Sequence, residues 1–227
     1  MKYKFLLFDL DGTIFDYDKA EMNALKKTFN DFGFGFEETH LELYRKFNAQ
    51  VWREFEEGTL QQDELKIRRF DELKNSLKLD FNIYDFSDSY LKNLSGRTDL
   101  IDGSAEILEV LQSNYEIFLI TNGLKDVQRP RIAASEVAKY FKDIIISEEV
   151  GYAKPDPKIF DIAFKRMNNP GKDEVLLIGD SLSSDITGGS NYGVDTCWFN
   201  PKSIEKPHGL NITHEIKNLD ELINILQ

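Results

Sequence analysis

A run of apolar residues, Phe5 to Phe8, ends abruptly in Asp9-Leu10-Asp11-Gly12-Thr13, and this stretch narrows the folds open to the chain more than any other. A short continuous apolar run reads as a strand buried on both faces, as in the middle of a parallel sheet, although periodicity alone does not distinguish it from a buried helix segment. Gly12 supplies a breaker directly after it. Two carboxylates two residues apart at the carboxyl end of a central strand lie where open α/β sheets place their ligands. At about 4 Å and an effective dielectric near 20, Asp9 and Asp11 as bare anions would repel by on the order of 4 kcal/mol. Either one is protonated or a cation lies between them, and a hard divalent ion with oxygen ligands, most simply Mg²⁺, fits.

At 227 residues the chain is long enough for one large domain or for a domain carrying a substantial insertion. It contains no apolar stretch long enough to span a membrane, and Met1 runs into the first strand without a signal-peptide pattern, so the sequence reads as cytoplasmic. The single cysteine, Cys197, has no partner for an internal disulfide and lies in an apolar run, which marks a core residue rather than a nucleophile. A formal net charge of -12 argues against nonspecific binding to nucleic acid or an anionic membrane, since basic patches drive both. It leaves a small anionic substrate open, because such a substrate feels the field of one pocket. His40, His208 and His214 are scattered without metal-ligand spacing.

Between Asp16 and Ser95 apolar residues recur at helical spacing in four successive groups: Met22 to Phe32, Leu41 to Phe55, Ile67 to Leu77, and Ile83 to Leu94. Gly33 to Gly35 and Glu57-Gly58-Thr59 punctuate the groups, and Thr59 with Gln62 has capping-box spacing for the third helix. A crossover between sheet strands needs only a dozen or more residues, so this stretch of about eighty reads as an inserted helical domain. From Gly96 onward strands and helices alternate. Strands are expected at Glu116–Thr121, Asp143–Ser147, Val175–Gly179 and Thr196–Phe199. Helices are expected at Ser104–Ser113 with Ser104 as N-cap, at Lys125–Tyr140 with Pro130 breaking or kinking it, at Pro157–Met167, at Ser184–Asn191 and at Leu219–Leu226. Asn200 to Gly209, with two prolines, reads as a loop. The expected fold is α/β, a Rossmann-like three-layer parallel sheet formed by residues 1–15 and 96–227, with a four-helix insert over 16–95.

More polar groups follow apolar strands as Asp9 does. Thr121 and Asn122 end EIFLIT, Lys154 sits in the loop GYAKPDP, and Asp180 ends VLLIG with Asp185 five residues later. In a parallel sheet these strand ends share one edge, where a hydroxyl, an ammonium and several carboxylates can converge. Glu148 and Glu149 lie near the third strand end, in the position of solvated loop acids that could also tune a metal site.

These residues give the chain its resemblance to the haloacid dehalogenase superfamily of phosphatases. Asp9 to Thr13 match the family's DxDG[TV], Thr121 its strand-terminal Thr or Ser, Lys154 its Lys before Pro, and Gly179, Asp180 and Asp185 its GDxxxxD. The helical segment after the first motif resembles the cap of one subclass. The resemblance implies a phosphomonoesterase in which Asp9 attacks phosphorus and forms an aspartyl-phosphate, and Asp11 acts as general acid and then base. It implies Mg²⁺, or another divalent ion such as Mn²⁺, held by the Asp9 side chain, the Asp11 backbone carbonyl and the Asp180 side chain. Thr121, the Asn122 backbone N–H and Lys154 would bind phosphoryl oxygens, with Asp185 orienting Lys154 and metal-bound water. With both Asp11 and Asp180 present, phosphoryl chemistry is favoured over dehalogenation.

The insert from Tyr44 to Phe70, with FDYDKAE at Phe15 to Glu21, resembles a narrower group, the pyrimidine 5'-nucleotidases, and so implies a nucleoside monophosphate as substrate. Phe15 and Tyr17 beside the hinge and Asn48, Trp52 and Arg69 in the insert are the candidate substrate contacts. A ring can stack on a base and an amide can pair with its edge. Against this stand helix packing for Trp52 and a surface ion pair for Arg69. The alternative activities are a sugar-phosphate phosphatase or phosphomutase on the same core, and a non-catalytic phosphate-binding module.

Overall fold

In the computed structural model, which describes residues 2–226, the chain divides into two compact units, Met1–Tyr17 with Thr98–Gln227, and Asp18–Arg97. The first unit is built on six strands: β1 (Phe5–Phe8), β2 (Glu116–Thr121), β3 (Phe141–Ile146), β4 (Val175–Gly179), β5 (Asp195–Phe199) and β6 (His214–Ile216). They are all parallel, in the order β3-β2-β1-β4-β5-β6. Successive side chains of a strand point to opposite faces, and the core divides accordingly. Leu6, Phe8, Ile117, Leu119, Leu176 and Ile178 fill one face, where α5 (Ser104–Leu111) and α10 (Leu222–Leu226) pack. Leu7, Phe118, Ile120, Val175 and Leu177 fill the other, against α8 (Pro157–Arg166). This two-sided burial explains why the strands read as unbroken apolar runs: Leu6, Leu7 and Phe8 are fully buried, each worth about 1.5–3 kcal/mol relative to exposure.

Several local expectations are corrected. α5 is capped by Gly103 at φ 82°, and the Ser104 hydroxyl instead donates to the Ile14 carbonyl at 3.0 Å. The segment after β2 forms a short helix, α6 (Lys125–Ala134), in keeping with Pro130, and the expected helical stretch out to Tyr140 is a 3₁₀ turn at Glu136–Tyr140 instead. β3 ends at Ile146, and Ser147 opens the one-turn helix α7 (Ser147–Val150). After β4, residues Leu182–Ile186 make a π-type turn before α9 (Thr187–Tyr192), because Ser181 Oγ caps Ser184 and the Asp185 carboxylate bonds back to the Ser181 amide at 3.1 Å. β6 falls in a segment with no apolar run and is added at the sheet edge beside β5. α8 starts at Pro157 as expected, with the Asp156 carboxylate accepting from the Lys158 amide.

The second unit holds the four expected helices: α1 (Tyr17–Asp31, entering this unit at Asp18), α2 (Glu38–Glu56), α3 (Gln62–Leu77) and α4 (Ile83–Ser95). Their shared core is aromatic, with Phe70 and Tyr44 stacked at 5.6 Å and Phe81 and Phe86 at 4.2 Å. α3 is capped from Gln61, whose amide donates to Glu64 at 3.1 Å, not from Thr59. The Thr59 hydroxyl is occupied in closing the preceding helix, donating to the Glu54 carbonyl.

Candidate active site

The strand order reverses about β1: the chain passes outward to β2 and β3, then returns to β4 on the opposite side of β1. Carboxyl ends on either side of such a switch point leave a crevice between the loops that diverge from them. Asp9 follows β1 directly, with its amide on the Ile178 carbonyl of β4 at 2.8 Å, and Asp180 follows β4. Thr121 ends β2 and is 2% exposed.

Lys154 joins these strand ends. Its ammonium donates to Asp9 Oδ1 at 2.6 Å, to Asp185 Oδ1 at 2.6 Å and to the Ile120 carbonyl at 2.8 Å, which uses all three of its protons. Burial opposes its charge, but Asp185 and Asp9 outweigh burial and hold its pKa above the usual lysine range. Asp9 is pushed well above the ordinary carboxylate range, first by burial and then by the nearby Asp185 and Asp180 charges, against the pull of Lys154. Burial, with Asp185 next, pushes Asp180 up to about 7. One ammonium is too little positive charge for three carboxylates.

Asp9, Asp180 and Asp185 each offer an oxygen within 4.8 Å of the others, a hard-donor set of the kind that holds Mg²⁺. Glycines keep room for it. A Cβ at Gly12 would overlap the Asp180 carboxylate, and one at Gly179 would overlap that of Asp185. Asp185, expected to stand behind the metal ligands, is thus grouped with them while also holding Lys154.

Asp11 is arranged differently from the expected carboxylate pair. Its carboxylate accepts from Arg131 at 2.7 Å and from the Gln128 amide at 2.6 Å, both on α6. The Asp11 carboxylate is therefore paired with Arg131, while Asp9 shares Lys154 with Asp185. The Asn122 side chain also does work that spacing does not reveal: it accepts from the Lys154 amide at 2.7 Å and donates to the Lys154 carbonyl at 2.8 Å, pinning the lysine's backbone. The visible signal for Gln128 and Arg131 was polarity on an apolar stripe, since they share the buried face of α6 with Val127 and Ile132.

The remaining candidates are placed as follows. Phe15 is fully buried in the sheet unit, with the Arg131 guanidinium over its ring at 4.8 Å, and Tyr17 is half-buried. Within the helical unit, Arg69 is 2% exposed rather than on the surface; it donates to Asn48 at 2.9 Å and lies over the rings of Phe70 and Tyr90. Asn48 in turn donates to Glu21 at 3.2 Å, and Glu21 accepts from Arg45 at 2.8 Å. Trp52 is half-buried, edge-on to Phe55 and packed on Val51, Leu60 and Leu65. Burial pushes the Cys197 thiol up to about 12, as befits an inert core residue. Glu148 accepts from the Lys125 amide at the start of α6, and Glu149 pairs with Arg129 at 2.6 Å, so both brace α6. Among the described residues no helix is long and apolar enough to cross a membrane.

The chain is similar to known proteins along its whole length. The HAD-hydrolase YfnB of Bacillus subtilis is 35% identical over 99% of this chain and 96% of its own. Its crystal structure bound to magnesium superposes with a TM-score of 0.95 over all of both chains. The pyrimidine 5'-nucleotidases YjjG of Escherichia coli and PynA of Streptococcus pneumoniae are each 31% identical over the full chain, covering 99% and 96% of their own lengths. The family model for haloacid dehalogenase-like hydrolases matches residues 6–199, from β1 to the end of β5 and so through every strand-end residue described above. The chain belongs to the haloacid dehalogenase-like hydrolases and is an enzyme of that family.

Proposed function

We propose that this enzyme is a phosphoric monoester hydrolase that removes the 5'-phosphate from pyrimidine nucleoside monophosphates. The observation that carries the chemistry is the buried Asp9–Lys154–Asp185 chain beside Asp180, with a separately held carboxylate, Asp11, two residues from the nucleophile. Asp9 attacks phosphorus; the Asp9 O–P bond forms as the P–O bond to the nucleoside breaks, and Asp11, which enters this step as the protonated acid, gives its proton to the departing oxygen and is left as the carboxylate. Asp11 then takes a proton from water, whose oxygen attacks phosphorus and releases phosphate and free Asp9. Thr121, the Asn122 backbone N–H and Lys154 hold phosphoryl oxygens, most strongly as charge develops. Lys154 exchanges one of its three hydrogen bonds to do so.

The crowded carboxylates and their raised pKa values fit a divalent cation, and Asp9, Asp180 and Asp185 offer its donors. Bound Mg²⁺ supplies the charge that lets a carboxylate approach a phosphate anion. Because Asp180 titrates near 7 in the fold and near 3.8 when unfolded, the folded state holds the extra proton through that window, and without metal this contribution to stability is lost as pH rises. The cation binds the ionised carboxylates. The rise in Tm on adding Mg²⁺ is therefore expected to be larger near pH 8 than near pH 5.5. Equal gains at both would argue against a metal on these residues.

What supports the pyrimidine nucleotide as substrate is the full-length likeness to two proteins named as pyrimidine 5'-nucleotidases. Selection of the leaving group falls outside the phosphate-binding residues, and the helical insert is its proposed source. Within that insert Arg69 bonds Asn48 and Asn48 bonds Glu21, so they set the shape of the helices, while the Trp52 ring is half-exposed. Phosphate release from a panel of nucleoside monophosphates, sugar phosphates and acyl phosphates tests the reading. Chelator-sensitive release concentrated on UMP, dUMP or dTMP is expected. Release centred on sugar phosphates would replace the substrate, and no release from any ester would remove the phosphatase reading altogether.

A further inference from the structure

The structure assigns Arg131 and Gln128 as positioning residues that clamp the acid–base carboxylate Asp11 from the helix after β2; the inference rests on Asp11 having the role given above. Neither residue belongs to a strand end. Each nevertheless sends its polar end to that edge from a buried helix face, with Arg131 fully buried and Gln128 1% exposed. Arg131 donates from one nitrogen to Asp11 Oδ1 at 2.7 Å and to Gln128 Oε1 at 3.0 Å. Gln128 donates from its amide nitrogen to Asp11 Oδ2 at 2.6 Å and to the Thr121 hydroxyl at 3.3 Å. The two oxygens of Asp11 are thus held by two different side chains that also brace each other, and one of them ties Asp11 to the proposed phosphate-binding threonine.

Two further features mark the clamp as built into the fold. The Arg131 guanidinium lies over the ring of Phe15 at 4.8 Å, four residues beyond Asp11 in the same loop, so the loop carrying Asp11 is gripped by both its carboxylate and its ring. Gly123 leaves the space Gln128 occupies, since a Cβ there would collide with the Gln128 side chain. A carboxyl group held at both oxygens keeps one orientation, and each oxygen retains a further position, which can carry the proton given to the leaving group and later accept one from water. A carboxylate free to rotate would spend much of its time out of reach, which lowers proton transfer without touching phosphate binding.

That separation supplies the test. p-Nitrophenolate leaves without a proton, whereas the alkoxide of an unactivated ester such as UMP needs one. kcat/KM reports the step in which the leaving group departs. Arg131→Met is expected to lower kcat/KM about 100-fold on UMP, or on whichever alkyl ester the wild type hydrolyses, and no more than about threefold on p-nitrophenyl phosphate, with KM little changed. Gln128→Leu, which also releases the Thr121 hydroxyl, is expected to lose about tenfold on the alkyl ester and a clearly smaller factor on p-nitrophenyl phosphate. Arg131→Lys, which keeps the charge but loses the planar guanidinium over the Phe15 ring, recovers only part of the loss. If Arg131→Met does not fold, judged by circular dichroism, Gln128→Leu decides the question. Equal losses on both substrates, no loss, or a gain would each overturn the clamp. A wild-type enzyme that hydrolyses no ester would instead overturn the phosphatase reading on which it rests.

Discussion

Asp9→Asn is expected to lower kcat by about 10⁴-fold or more while leaving the circular dichroism spectrum and the melting temperature close to wild type. The substitution is isosteric, and Lys154 keeps its bonds to Asp185 and to the Ile120 carbonyl, so little structural reason exists for the variant to unfold. An amide oxygen is a far poorer nucleophile than a carboxylate. Wild-type enzyme quenched in acid during turnover should carry one labile phosphate on this aspartate, and the variant none. A variant that still turns over, with no phosphate on the protein, would end the covalent mechanism.

The second large effect concerns Lys154. Removing one partner of a buried ion pair leaves an uncompensated charge, which costs about 3–5 kcal/mol. Lys154→Met should therefore lose activity and also much of the protein's stability in metal-free buffer, read as a fall in denaturation midpoint. The loss has a definite pH dependence. Without the ammonium, Asp9 and Asp185 sit buried with only each other and Asp180 nearby, so the folded variant takes up protons that the unfolded chain does not. Its instability should be mild near pH 5.5 and severe near pH 8, with added Mg²⁺ returning part of it at the higher pH. A variant as stable as wild type across this range would mean that Lys154 does not balance these carboxylates.

The order of elements could be read along the chain because burial writes itself into composition. Strands covered on both faces become apolar runs, as at Leu6 to Phe8 and Val175 to Ile178, and helices covered on one face repeat their apolar residues at helical spacing. The candidate chemistry was legible for a related reason: reactive side chains of a parallel sheet stand just after the strands, so Asp9, Thr121 and Asp180 are marked by where the apolar runs stop. Lys154 was marked only by its loop and its resemblance to a family motif.

Features that depend on a distant partner left no such mark. β6 is three residues, His214 to Ile216, that become a strand only because β5 offers a free edge. Ser104 has the chemistry of a cap, yet its hydroxyl went to a carbonyl ninety residues away at Ile14, and the glycine before it took the cap instead. Arg69 was indistinguishable from a surface cation until three aromatic rings and Asn48 enclosed it.

The sequence by itself determined which residues carry the chemistry and in what order the strands present them, because local patterning and motif spacing are properties of neighbours along the chain. Only the tertiary structure decided what holds those residues. Lys154 reaches Asp9 across 145 positions and Arg131 reaches Asp11 across 120, and no local pattern records contacts made at such separations. Such contacts come into being only when the sheet forms and the carboxyl ends of its strands meet, since packing brings these charges together in space.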